Sequence, residues 1–198
     1  MQFNNIKEIN SAHSDTSTKD FIVDVFEIAI QALIAIIILT TFILRTCTVV
    51  GDSMNTTLTD KETLIISNLF YSPKENDIIV FHQTGTMNEP IVKRVIATGN
   101  KWIKLDYDNC ILYVSDDNVF DSTDVVDESS YAYFDNGRYN MSGTYTVYVP
   151  DGYLFVMGDN RNNSTDSRSS AIGLVDERTV LGKVILRLSP LQKFGFIN

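Results

Sequence analysis

A serine hydroxyl is a poor nucleophile until a base takes its proton, and this chain offers few bases to do so. Ser53 stands in GDSMNTTL (51–58), just behind a long apolar run. The usual base is histidine, but the two histidines are His13, in the N-terminal arm, and His82, which reads as a satisfied or solvated residue at a strand end. The other candidate is Lys93 in PIVKRVIA (90–97). In an alternating strand Ile91, Lys93, Val95 and Ala97 share one face and Val92, Arg94 and Ile96 the other, so each face holds one cation among apolar residues. In an internal strand Lys93 is desolvated, its pKa falls, and the neutral amine is a competent general base near physiological pH. In an edge strand both cations reach water along their stems. Ser53 with Lys93 would be a variant of triad logic, which spacing alone leaves open.

The second feature is GDNRNNSTDSR (158–168), a long polar run behind the apolar YLFVM. A loop this long without structure of its own is more often functional or disordered than a mere connection. Asp159, Arg161, Asp166 and Arg168 offer ion pairs to order it, and an arginine can hold a carboxylate with two parallel hydrogen bonds. Metal chemistry has little support: there is no His-Glu-x-x-His and no cysteine cluster. Cys47 and Cys110 are too few for a disulfide framework and read as unpaired thiols.

Elements must hold these residues. The 198 residues carry a formal net charge of -9, but nine of the acids lie in residues 105–137, which contain no Lys or Arg. The acidity is therefore local, and an acidic insert repels phosphate backbones, which sets nucleic acid aside. Residues 28–44, IAIQALIAIIILTTFIL, form the apolar run. Extended back to Phe21 it gives about 36 Å of helix, enough for a hydrocarbon core of about 30 Å. This reads as one transmembrane helix (21–45) after a polar arm (1–20), since the run exceeds a secretory h-region and lacks a basic start. Flanking charge does not orient it, because Lys7 and Lys19 are matched by Arg45 and Lys61.

Beyond it, runs rich in β-branched and aromatic residues recur between turn signals at 46–50, 63–66, 77–82, 90–97, 145–149, 153–157 and 180–188, so residues 46–198 read as one mainly β domain. Pro150-Asp151-Gly152 predicts a turn that would join 145–149 and 153–157 as a hairpin. The acidic insert, about 105–144, reads as a solvated excursion from the main sheet without a core of its own. It lacks the calcium-loop spacing of an EF-hand.

Four motifs in this order behind one membrane anchor, GDSMNTTL, NDIIVF, VKRVIATGN and GDNRNNSTDSR, resemble those of the bacterial type I signal peptidases. The resemblance implies a membrane-tethered serine endopeptidase that cuts signal peptides from exported proteins, with its arm in the cytoplasm and its β domain outside. It implies no cofactor and no metal. The partners it implies are preprotein signal peptides and the lipid bilayer, with the secretion translocon as a further candidate. On matching positions Ser53 is the nucleophile and Lys93 the general base. Ser164 resembles the serine that hydrogen-bonds the lysine amine. Asp159, Asp166 and Arg168 resemble residues that shape the loop, and Arg94 fills the basic position after the lysine. The oxyanion is expected at the Ser53 N–H. Some members add a hydroxyl two residues earlier, where this chain has Gly51, and loss of such a donor can cost about 100-fold in turnover. Thr56, Asn76 and Asn162 also depart from the common Pro, Gly and Asp. Val49, Met54, Leu58, Ile91 and Val92 are candidates for the shallow apolar pockets that would select small residues before the cut.

Three rival readings remain at this level. A self-cleaving Ser/Lys regulator is disfavoured by the membrane helix. A catalytically silent signal-peptidase-like assembly or chaperone factor for surface structures is disfavoured by the presence of both Ser53 and Lys93. A membrane-anchored β module that only binds leaves the order of four motifs unexplained.

Overall fold

The computed structural model describes residues 3–38, 45–83 and 89–197, with side chains from residue 20 onward. Residues 39–44, the end of the expected span, lie outside the described residues, as does the side chain of His13. Helix α1 runs Phe3–Ile38, so the polar arm is the first part of the helix and not a separate segment. Its sequence contains no Gly or Pro to break the hydrogen-bond ladder. Asp20–Ile38, 19 residues, is long and apolar enough to cross a membrane. The chain divides into two compact units, one ending at Leu44 and one beginning at Arg45.

The second unit is built from β1 (Arg45–Thr48), β2 (Thr63–Ser67), β3 (Ile78–Phe81), β4 (Ile91–Ala97), β5 (Lys101–Asp106), β6 (Ile111–Ser115), β7 (Thr144–Val149), β8 (Tyr153–Met157), β9 (Val175–Asp176), β10 (Val180–Ser189) and β11 (Gly195–Phe196). A large sheet has the order β1-β2-β10-β3-β4-β8-β9, with β11 on β10, and a smaller one the order β6-β5-β7. Strand β4 lies inside the large sheet, with Lys93 opposite Ile79 of β3 and Arg94 opposite Met157 of β8. That position removes the edge-strand alternative for Lys93. Its run of β-branched residues suits a strand covered on both faces.

Two expectations need correction. The insert is not a solvated excursion: Ile103 and Leu105 of β5, Leu112 of β6 and Val149 of β7 share one core with Ile96, Ala97, Phe155 and Met157 of the large sheet. In KWIKLD (101–106) Ile103 and Leu105 are buried while Lys104 between them and Asp106 after them are partly exposed, so the period of two hides under a polar composition. Tyr139 closes this core from the insert, meeting Tyr107 and Phe134 edge to face at 5.1 and 4.8 Å. The expected hairpin is also absent, since β7 pairs with β5 and β8 with β4 and β9. The turn itself forms, with Tyr153 N–H donating to Pro150 O at 3.1 Å and Gly152 at φ +75°. Gly99 sits against it, where a Cβ would come within 2.8 Å of Asp151 Cα. The chain thus crosses between the sheets twice at one place, from β4 to β5 and from β7 to β8.

Candidate active site

Ser53 lies in the turn that leaves β1. Gly51 opens that turn at φ +84°, a left-handed conformation that glycine adopts at low cost, and its N–H donates to Asp60 Oδ1 at 2.9 Å. The turn closes with Asn55 N–H on Asp52 O and Leu58 N–H on Met54 O. This fold brings Ser53 to Lys93, 40 positions away, and Lys93 Nζ donates to Ser53 Oγ at 2.7 Å and to Val92 O at 3.0 Å. Lys93 is 4% exposed. Burial lowers its pKa to about 8, with Asp166 and Asp159 opposing the shift and Arg168 adding to it. Both hydrogen-bond acceptors are neutral, so no carboxylate forms an ion pair that would fix the amine as an ammonium. The Ser53 N–H has no hydrogen-bond partner among the described residues and is free to donate to an oxyanion.

The polar loop is ordered by one ion pair its sequence offered, Arg168–Asp166, and by one from Asp159 to Arg94 of β4 that it did not. Arg94 donates from Nε and Nη2 to the two oxygens of Asp159 at 2.9 and 2.8 Å, and from Nη1 to Asn76 O at 2.9 Å. Arg168 grips Asp166 in the same two-pronged way, at 2.8 Å for each bond. Burial opposes the Asp166 charge, but Arg168 and the Gly158 N–H hold its carboxyl below the usual range. The loop also meets the serine turn directly, with Asn160 N–H on Ser53 O at 3.0 Å and Asn160 Nδ2 on Asp52 O at 3.2 Å. Gly158 makes this approach possible, because a Cβ there would come within 2.4 Å of Ser53 O and 2.2 Å of Ser164 Oγ.

The sequence marks Arg161 as an ion-pairing loop residue, but not its partner in the insert or the insert's other contacts. Arg161, among the largest fully buried side chains at 2% exposed, donates from Nε to Gly158 O at 3.1 Å and from Nη1 to Tyr139 Oη at 3.2 Å, and it is in ion-pair contact with Glu128 of the insert. Burial raises the Glu128 pKa against the pull of Arg161. The insert adds backbone bonds, Tyr133 N–H to Asp159 O at 2.7 Å and Arg161 N–H to Tyr133 O at 2.9 Å, and Tyr131 lies 4.2 Å beneath the Arg94 guanidinium. The insert is therefore a brace for the loop. Its single available signal in the sequence was an arginine in the loop with no local carboxylate left to pair with it.

A cleft of about 530 Å³ opens over Ser53 and Lys93. Val49, Met54, Ile91 and Val92 line it, but Leu58 does not. Leu58 is fully buried in the core with Leu64, Ile66 and Val80, because the turn after Met54 directs it inward, so it is a packing residue. Ser164 lines the cleft, yet the expected hydrogen bond from its hydroxyl to the lysine is not formed. Its buried Oγ has no hydrogen-bond partner among the described residues. It lies close enough to Asp166 to favour the charged carboxylate, but outside hydrogen-bond geometry.

The chain matches the family described as signal peptidase, peptidase S26, over residues 22–189. It is 32% identical over 182 residues to signal peptidase IB of Staphylococcus aureus (strain MRSA252), covering 83% of this chain and 88% of that protein. It is 29% identical over 185 residues to the probable signal peptidase I-1 of Synechocystis sp., covering 88% of this chain and 86% of that one. A crystal structure of a signal peptidase I from Enterococcus faecalis V583 aligns with 57% of this chain and 97% of its own, at 25% identity and a TM-score of 0.41. The family match spans the serine turn, the lysine strand and the polar loop together: the chain belongs to the signal peptidase family, peptidase S26.

Proposed function

We propose that this protein is a membrane-anchored serine endopeptidase that removes N-terminal signal peptides from exported preproteins, with Ser53 as nucleophile and Lys93 as general base. The observation that carries the reading is the buried Lys93 amine 2.7 Å from Ser53 Oγ with its pKa lowered to about 8. Near that pH much of the amine is neutral, its lone pair is free, and the hydrogen bond reverses so that the serine O–H donates.

Oγ then attacks the scissile carbonyl as its proton passes to Nζ, and the Ser53 N–H donates to the developing oxyanion. The intermediate collapses when the Lys93 ammonium gives that proton to the leaving amine, which departs as the new N-terminus. The neutral lysine next takes a proton from water as its oxygen attacks the Ser53 ester. The Lys93 ammonium returns that proton to Ser53 Oγ as it leaves, and the signal peptide is released as an acid that ionises to the carboxylate. Val49, Met54, Ile91 and Val92 form the shallow wall that favours small residues before the cut. Ser164 supports the amine by turning its unpaired hydroxyl toward Nζ.

The α1 segment Asp20–Ile38 is the anchor, the N-terminus is cytoplasmic and the β domain lies outside, beside the bilayer and the translocon. A signal peptide enters the bilayer by its apolar part, so its cleavage site emerges at the membrane surface, and Ser53 lies in the first turn of the domain that follows the anchor. The test incubates the detergent-solubilised protein, Ser53→Ala and Lys93→Ala with a preprotein carrying an Ala-x-Ala site and locates any cut by mass spectrometry. Cleavage after the small residue by the unaltered protein alone is the expected result. No cleavage by the folded protein, or equal cleavage by all three, overturns the reading.

A further inference from the structure

The cleft continues past Ser53 at both ends. At one end it shares Thr48, Val50, Glu89 and Pro90 with a cavity of about 240 Å³ whose wall includes Arg45, the residue at which the domain begins. At the other it shares Asn162 and Ser164 with a cavity of about 310 Å³. The far wall of that second cavity comes from the insert, at Tyr139, Asn140 and Met141.

We propose that the insert segment Arg138–Met141 is a subsite for the first residues after the scissile bond, and that it takes an extended peptide with an apolar side chain at the first or second position. The inference rests on the peptidase reading above and names the part of its substrate that the serine turn and lysine strand do not contact. A signal peptide is held by its apolar part on the N-terminal side of the cut. The wall assigned above to the residues before the cut, Val49, Ile91 and Val92, adjoins in the chain Thr48, Val50 and Pro90, which the cleft shares with the Arg45-end cavity. The residues after the cut therefore leave at the opposite end, past Asn162 and Ser164.

Asn162 builds this exit. Its Oδ1 accepts from the Asn140 N–H at 3.0 Å and its Nδ2 donates to Arg138 O at 2.9 Å, so one amide side chain fastens the insert to the rim of the cleft through both a donor and an acceptor. An aspartate could not make the second bond. Tyr139, between the two pinned residues, is buried in the core and anchors the segment from behind. Met141 follows at 57% exposed, a long apolar side chain in the otherwise polar stretch Asn136–Gly143. A thioether side chain is flexible and polarizable and adapts to varied apolar partners, which suits a wall that meets many different mature N-termini.

The test uses the full-length protein and a set of preproteins identical up to an Ala-x-Ala cut and differing only in the first two residues beyond it, Leu against Ser. The unaltered protein is expected to favour Leu in kcat/KM. Met141→Ser lowers the Leu:Ser ratio about three- to tenfold, the scale of a lost apolar contact, and Asn162→Asp lowers it in the same direction. Discrimination between Ala and Val immediately before the cut stays the same in both variants. A Leu:Ser ratio equal in all three proteins, with cleavage intact, overturns the subsite and leaves the peptidase standing. No cleavage of any substrate by the folded unaltered protein overturns the peptidase reading and the subsite with it.

Discussion

Lys93 and Arg94 are neighbours on β4, both buried, and they have opposite electrostatic surroundings. Arg94 is held by both oxygens of Asp159, while Lys93 touches only a hydroxyl and a carbonyl. A buried charge with a two-pronged partner is neutralised and becomes part of the scaffold. A buried amine without one relieves its desolvation by losing its proton. The strand thus carries one cation held in an ion pair and one amine without a carboxylate partner, separated by the alternation of its faces. The scaffold extends through Arg168–Asp166 and Arg161–Glu128, so the carboxylates around the site are engaged by arginines and none is left to pair with the lysine.

The sharpest way to break this contrast is to give Lys93 the chemistry of its neighbour. Lys93→Arg keeps a cation but one that does not deprotonate in a protein. Loss of a base that works as a unit with its nucleophile costs about 10⁴-fold or more in kcat, and single-turnover cleavage assays read the loss directly. The unaltered enzyme should show kcat/KM rising as pH is raised through about 8, because the base must be neutral. A flat profile between pH 6.5 and 9 would end the assignment of Lys93.

The reverse change removes the scaffold cation. Arg94→Met leaves Asp159, fully buried, without its partner. Breaking a buried pair from one side costs about 3–5 kcal/mol, which denaturant unfolding of the β domain measures. A loss under about 1 kcal/mol would mean that Asp159 takes up a proton or another partner.

Removing the reactive amine should have the opposite sign. A lysine whose pKa is about 8 when folded and about 10.4 when unfolded binds fewer protons in the folded state between those values, so the unaltered protein gains stability as pH rises from 8 to 10.4. Below pH 8 the protein bears the full cost of the buried ammonium. Lys93→Met is then inactive but more stable at pH 7, by an amount on the order of 3 kcal/mol at most, and the difference closes toward pH 10. A gain that persists at pH 10 would show that packing, and not charge, is the source.

These contrasts were unevenly legible in the sequence. The strand runs, the single cation on each face of β4 and the surplus of charged residues in 158–168 are local patterns. They singled out Lys93 and offered the Arg168–Asp166 pair, while the pairing of Ser53 with Lys93 came from the family resemblance and the Arg94–Asp159 pair from the fold alone. Glu128, Tyr131 and Tyr133 were not legible, because a contact between an insert and a distant loop leaves no period in either. The same blindness turned the Pro150 turn into a false hairpin, since a turn signal fixes local backbone and not which sheet the next strand joins. Leu58 failed for another reason: its spacing from Ser53 fits a pocket wall and a core residue equally well, and only the turn's direction decides.

Ser164 gives the smallest effect and the finest distinction between scaffold and site. Its Oγ is buried with no hydrogen bond, and a buried unpaired hydroxyl costs roughly 1–3 kcal/mol, so Ser164→Ala should unfold at the same temperature or slightly higher. If the hydroxyl belongs to the scaffold, turnover follows stability and does not fall. If it turns to Nζ when substrate excludes water from the cleft, kcat drops about tenfold, the low end of what one misplaced positioning contact costs. We expect the drop together with the unchanged melt, because the hydroxyl lines the cleft and makes no hydrogen bond within the loop. Equal turnover in Ser164→Ala and the unaltered enzyme would assign Ser164 to the scaffold and leave Val92 O as the amine's sole support besides the nucleophile.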